Sequence, residues 1–111
     1  MATTGSKAPF MGSVSVGTSA TGQDIWTLFS AVWSGLSHKC CFLEIQLDTT
    51  AGSASVYVGN SNVSATMCGV NLSANQAQLV YAFDSNLLVL DHIFLLSSSG
   101  TVQCNLTVVT R

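Results

Sequence analysis

The residues able to do chemistry are few. They are Cys40, Cys41, Cys68 and Cys104, the imidazoles His38 and His92, and five carboxylates at positions 24, 44, 48, 84 and 91. Adjacent residues of an extended strand point to opposite faces, so Cys40 and Cys41 cannot grip one metal ion as a Cys-x-x-Cys pair does. Cys41 and Cys104 fall on faces read below as core. There a reduced thiol acts as a small hydrophobe. A Cys41–Cys104 disulfide stays open if their strands are neighbours. Cys68 precedes Gly69 and is expected at or near the surface. A Cys/His nucleophile pair needs the two side chains in hydrogen-bond contact, which spacing alone does not indicate. His38 lies beside a turn and His92 at the start of an expected strand, where surface histidines are ordinary. The carboxylates are dispersed, with no acid/base pair. No Gly-rich segment leads from a strand into a helix, so no nucleotide loop is present. The expectation is a protein that is not an enzyme and needs no cofactor or metal.

Around these residues the pattern is β throughout. Residues 13–16 alternate polar and apolar, as a half-buried strand does. Lys39–Leu47 is the clearest strand, with Cys41, Leu43, Ile45 and Leu47 on the expected core face and Cys40, Phe42, Glu44 and Gln46 opposite. Residues 54–59 form a strand with Val56 and Val58 inward and Tyr57 outward. Short strands are expected at 63–66 and 69–72, around a kink at Met67 and Cys68. A strand over 77–83 carries Leu79, Tyr81 and Phe83 on one face, and a turn follows at 84–86. Strands at 91–96 and 101–109 close the chain, the last with Val102, Cys104, Leu106 and Val108 inward. Turn residues recur every 8–12 positions with no long helical period between them, the pattern of an antiparallel β-sandwich or jelly roll. One domain over residues 13–111 follows, preceded by an arm at 1–12. Pro9 forces extension at Ala8. The arm fits a frayed terminus and an element that orders across a neighbour equally well.

Residues 24–36 are ambiguous. Ile25, Leu28, Phe29 and Val32 have helical spacing, and Asp24 is a suitable cap. Ile25-Trp-Thr-Leu-Phe29 is also a good strand. The favoured reading is a strand through Leu28, then a turn or short helix around Phe29–Trp33. The cluster Trp26, Phe29 and Trp33 suits a lid over one end of the sandwich or a subunit interface. A sugar platform fits less well, because few polar side chains flank the tryptophans. With Pro9 and Phe10 of the arm and outward Tyr57, these are the candidate protein-interface residues.

Composition points the same way. Of 111 residues 48% are hydrophobic but only 7% are charged, against a usual ~25% charged. Serine, threonine, asparagine and glutamine take the place of charge. Charge keeps free proteins apart, so this surface suits one largely covered by partners, although secreted modules share such surfaces. Lys7, Lys39 and Arg111 are scattered and the net charge is −2, which argues against nucleic acid as a partner. No apolar run reaches the ~18 residues of a membrane span. The first ten residues lack the apolar core of a signal peptide. The chain is therefore expected to be made in a cytoplasm, and the three Asn-x-Ser/Thr sequons at 62, 71 and 105 to be incidental.

The stretch Val56-Tyr-Val-Gly-Asn-Ser-Asn-Val-Ser-Ala-Thr-Met-Cys-Gly-Val-Asn-Leu72 resembles a pattern in small structural proteins of tailed bacteriophages. A strand ending in Tyr-Val-Gly meets an Asn/Ser turn, then a valine, a glycine and a leucine that opens the next loop. Asp91-His-Ile-Phe-Leu-Leu96, the turn at Gly100-Thr101 and the last strand continue the resemblance over the second half of the chain. It implies a β-sandwich or jelly roll forming small cyclic oligomers on a virion. The expected role is a capsid cement or decoration subunit contacting the major capsid protein and copies of itself. The alternative is a receptor- or glycan-binding module of a tail or head fibre. The four cysteines and the tryptophan segment are departures from that pattern. If the thiols are all free, alkylation of the unfolded chain should give the same mass with and without reductant. A difference would reveal a disulfide.

Overall fold

The computed structural model describes residues 9–18, 22–48, 52–74, 76–82 and 88–110, the segment 77–82 by its backbone alone. The expected turn at 84–86, the first eight residues of the arm and the side chains of Leu79, Tyr81 and Phe83 lie outside the described parts. Nine strands are described: β1 (Phe10–Val16), β2 (Gln23–Asp24), β3 (Lys39–Leu47), β4 (Val56–Gly59), β5 (Val70–Leu72), β6 (Ala77–Ala82), β7 (Leu88–Val89), β8 (Phe94–Ser97) and β9 (Val102–Thr110). One helix, α1 (Ile25–Ser30), precedes β3, and a single 3-10 turn (Leu90–His92) precedes β8.

The strands form two antiparallel sheets, an all-β sandwich as the turn spacing predicts. One sheet has the order β1-β9-β3-β6, with β7 also on β3. The other has the order β2-β8-β4-β5. The pairing is nested: β1 with β9, β2 with β8, β3 with β6 and β7, and β4 with β5. The second half of the chain thus runs back along the first. Contacts of β3 with β9 and of β4 with β8 lay this ribbon side by side with itself. Phe10 to Gly12, read above as part of the arm, are the first residues of β1.

The core lies between the sheets. Along β9 the residues Val102, Cys104, Leu106 and Val108 are buried and alternate with partly exposed neighbours. They face Val56, Val58, Leu72 and Leu95 within one apolar cluster. Among the described residues the one buried polar residue, Ser97, is satisfied locally. Its hydroxyl donates to Ser99 O at 3.0 Å and its N–H to Gly17 O at 2.9 Å.

Four local expectations are corrected. First, β3 does not keep period two along its length. Cys40 pairs with Thr110 and Phe42 with Val109, so Cys41 is an extra residue, a β-bulge. Cys40 is therefore fully buried and Cys41 only half-buried, the reverse of the expected faces. Second, residues 25–30 are helical, not a strand. The Asp24 carboxylate accepts the Thr27 N–H at 3.0 Å, and Ile25 and Phe29, four apart, are both fully buried. Such a cap contributes about 1 kcal/mol. Third, no strand forms at 63–66. Asn60 Oδ1 accepts the Asn62 N–H, and Ser64 Oγ those of Thr66 and Met67, diverting backbone donors from any ladder. Fourth, the strand expected from Asp91 begins at Phe94, after the 3-10 turn.

Gly22 leads into β2 with φ +67, and a β-carbon there would stand 2.7 Å from Val63 Cγ1. Gly22→Ala should destabilise the fold by about 1–3 kcal/mol. Ile45→Ala, in the fully buried part of β3, should cost about 2–5 kcal/mol. Urea unfolding with equal slopes measures both; a change under about 0.5 kcal/mol at either site would contradict the packing described.

Candidate functional site

Two side-chain clusters form around α1. The first is an apolar patch where the chain leaving α1 meets the start of β1. The helix ends at Ser30, with Ala31 as its cap. The backbone N–H groups of Val32 and Trp33 both donate to Phe29 O, at 3.0 and 2.9 Å. This tight turn carries Trp33 over β1. Its indole N–H donates to Met11 O at 3.0 Å, and its ring meets Phe10 edge-on, centroids 5.4 Å apart at 71°. Gly12, lacking a side chain, leaves room: Phe29, Trp33 and Val32 atoms lie 3.4, 3.5 and 3.6 Å from where a β-carbon would be. Met11 remains 57%, Val32 51% and Trp33 38% exposed. Pro9 is exposed beside them.

The second cluster ties α1 to the loop before β3 and to the 3-10 turn. Trp26 stacks on His38 with centroids 4.0 Å apart at 12°, and its indole N–H donates to Leu36 O at 3.2 Å. His38 Nδ1 donates to both carboxylate oxygens of Asp91, at 2.9 and 3.0 Å. The Leu90 N–H reaches His38 O at 2.7 Å. An imidazole oriented by a carboxylate is half of a catalytic triad, but His38 meets an indole and Asp91 here, not a thiol. Both partners are more than a third exposed, so the pair contributes about 1 kcal/mol at most. The arrangement fastens a lid.

Of the residues singled out by sequence, Pro9, Phe10 and Trp33 come to the patch. Phe29 does not reach the surface: it is fully buried beneath the patch, so its role is to support it. Trp26 belongs to the second cluster, and its stacked face is taken by His38. Tyr57 lies on the other sheet, half-buried between its register partners Asn71 and Leu96. Sequence reasoning missed Met11 and Val32. Met11 shares the parity of Ser13 and Ser15, and an apolar residue on that polar face was the available signal. Val32 has the helical spacing of a core residue, but the helix stops two residues before it.

The cysteines are all free. Burial pushes the Cys40 thiol up to about 11, helped by neighbouring Cys41 and opposed by a backbone hydrogen bond from Phe42. Burial alone pushes Cys104 up to about 12. The Cys41 thiol donates to Val109 O at 3.5 Å, near one end of β3. Cys104 pairs in register with Leu47 at the other end, so no Cys41–Cys104 bridge forms. Cys68 lines a shallow cleft of about 290 Å³ with Gly59, Asn60, Thr66, Met67 and Gly69. Among the described residues no three His, Cys, Asp or Glu side chains are grouped to hold a metal ion, and no helix is long and apolar enough to cross a membrane.

The chain matches no protein-family model, no curated protein and no solved structure. Its fold places it among all-β antiparallel sandwiches, and among the described residues β1 pairs only with β9.

Buried thiols that hold their protons in the fold favour the folded state while the unfolded thiols are also protonated. That contribution is lost as pH rises from the unfolded value near 9.0 through the folded values of about 11 and about 12. Stability should therefore fall above pH 9 less steeply in Cys104→Ala than in the parent chain, once the cavity cost at neutral pH is subtracted. Identical alkaline slopes would contradict burial of Cys104. In native alkylation Cys68 should react first and Cys104 last.

Proposed function

We propose that this chain is a virion structural protein, a capsid cement or decoration subunit that stabilises a shell by bridging major capsid proteins and copies of itself. It acts mechanically and not as an enzyme. The observation that carries this reading is the nested strand pairing, joined to an almost uncharged outer sheet face. Four nested antiparallel pairs, folded over on themselves, support a jelly-roll reading, and the jelly roll is an architecture of viral capsid and lectin domains. On the outer face of the larger sheet, Ser13 donates to Asn105 at 2.6 Å and Gln103 to Ser15 at 2.7 Å. Gln46 and Thr107 continue this neutral polar face, with Glu44 its one acidic member on β3. Neutral groups paired in this way cost far less to desolvate than charges, which suits a surface that docks broadly.

Lectin domains also use the jelly roll, so a receptor- or glycan-binding module of a tail or head fibre is the second reading. It would rely on Tyr57 or Trp33, because His38 covers the stacked face of Trp26. The two readings part on particles. Purified virions stripped of this chain should burst at a temperature several degrees lower than intact ones, and adding the chain back should restore them with many copies bound per shell. Equal burst temperatures would remove the cement role. Few copies per particle together with a glycan-array hit lost on Trp33→Ala or Tyr57→Ala would establish the second reading.

A further inference from the structure

The edge strand of a sheet offers unpaired main-chain groups to any other strand, and proteins blunt such edges with short strands, bulges, proline or charge. Among the described strands, three of the four sheet edges are blunted in these ways. β2 and β5 are two and three residues long, and the pairing of β6 with β3 shifts register between Leu43 and Glu44. β1 differs. It is seven residues long, with unbroken register against β9 from Phe10 to Val16, and it has no other partner among the described strands. No Lys, Arg, Asp or Glu occurs at residues 8–23, so charge does not protect it. The Asp48 N–H donates to Gln103 O at 3.0 Å, so Gln103 turns its main chain to the β3 side of β9. Its neighbours Val102 and Cys104 then turn theirs to β1, where they meet Val16 and Val14. Residues alternate in this respect along an antiparallel ladder. Met11, Ser13, Ser15 and Gly17 therefore direct N–H and C=O to the open side. Gly17 O accepts the Ser97 N–H at 2.9 Å and Met11 O the Trp33 indole N–H at 3.0 Å. Between them, the main chain of Ser13 and Ser15 has no partner on that side among the described residues.

We infer that Trp33 guards this edge, its indole closing the Met11 carbonyl so that no strand adds along β1. The indole nitrogen stands where an incoming strand would bring its own N–H, and the ring beside Phe10 fills the approach. The turn on Phe29 O holds Trp33 there, and Gly12 leaves it room. With both ends closed, the open stretch runs only from Ser13 to Ser15, shorter than the ~5–6 residues of a usual strand. Removing the indole lengthens it to Met11–Ser15, in a segment whose lack of charge favours stacked β assembly. One neutral side chain thus does at this edge what lysine does at others. The device belongs to the free chain and holds whether or not the chain coats a particle.

Hydrogen exchange on the parent chain reads the open groups directly. The Ser13 and Ser15 amides should exchange at least about tenfold faster than those of Gly12, Val14 and Val16. Protection of both would mean that the edge is already covered, and overturns the guard. Trp33→Ala then removes it. At about 100 μM under reductant, a concentration at which exposed edges associate, and well below its melting temperature, this variant should form thioflavin-positive β assemblies. They should form at least about tenfold faster than in the parent, with Ser13 and Ser15 becoming protected. Ile45→Ala, weakened in the core with the guard intact, should assemble as slowly as the parent. Adding Ser15→Lys, a charge within the open stretch, should suppress assembly of Trp33→Ala. Should Trp33→Ala not fold, Trp33→Phe, which keeps an aromatic ring but lacks the N–H, carries the same comparison. Assembly no faster than the parent, equal assembly in Ile45→Ala, or assembly unchanged by Ser15→Lys overturns the inference.

Discussion

The pairing of β3 with β9 holds the molecule together. β9 has β1 on its other side, and β3 has β6 and β7, so this one ladder joins both halves of the larger sheet. It also sets which side chains enter the core. Leu43, Ile45 and Leu47 pair with Val108, Leu106 and Cys104, and all six are buried. A slip of one residue would turn one of the two rows outward. The strands are far apart in the chain, so the pairing brings a large loop-closure cost that only extensive burial offsets. The nested arrangement spreads that cost, because each inner pair shortens the loop the next must close.

α1 solves a problem that a two-sheet stack leaves at its end. Ile25 and Phe29 plug the interior, while Asp24 satisfies an N–H at the helix start. Six residues make a helix too short to stand alone, and its hold comes from what surrounds it. Trp26 reaches Leu36 and His38, and Trp33 reaches Phe10 and Met11. The two tryptophans act as struts on either side of the lid. The turn after Phe29 that places Trp33 also turns Val32 outward, so the surface patch is a by-product of how the lid is fastened.

The scarcity of charge links fold to proposed role. Polar side chains on the larger sheet bond to one another across strands, Ser13 to Asn105 and Ser15 to Gln103, and so partly satisfy themselves without water. A surface of this kind gives up solvent at low cost. It also lacks the repulsion that normally keeps protein copies apart.

The sequence by itself determined the fold class, the inward faces of β4 and β9, the absence of long helices and the low surface charge. Each follows from local alternation, turn chemistry or composition, which need no knowledge of distant contacts. It also brought Pro9, Phe10, Trp26, Phe29, Trp33 and Tyr57 forward as candidate interface residues. Tertiary structure alone decided the rest. Whether Cys40 or Cys41 is buried turns on a bulge set by the register against Val109 and Thr110 of β9, far along the chain, and period two within β3 carries no trace of it. Residues 25–29 suit a helix and a strand almost equally, and the space at the end of the sandwich, filled by Ile25 and Phe29 four residues apart, selects the helix. Phe29 and Trp33 look alike as aromatic anchors in the sequence. One is buried and the other exposed because the helix ends between them and the chain must turn back over β1.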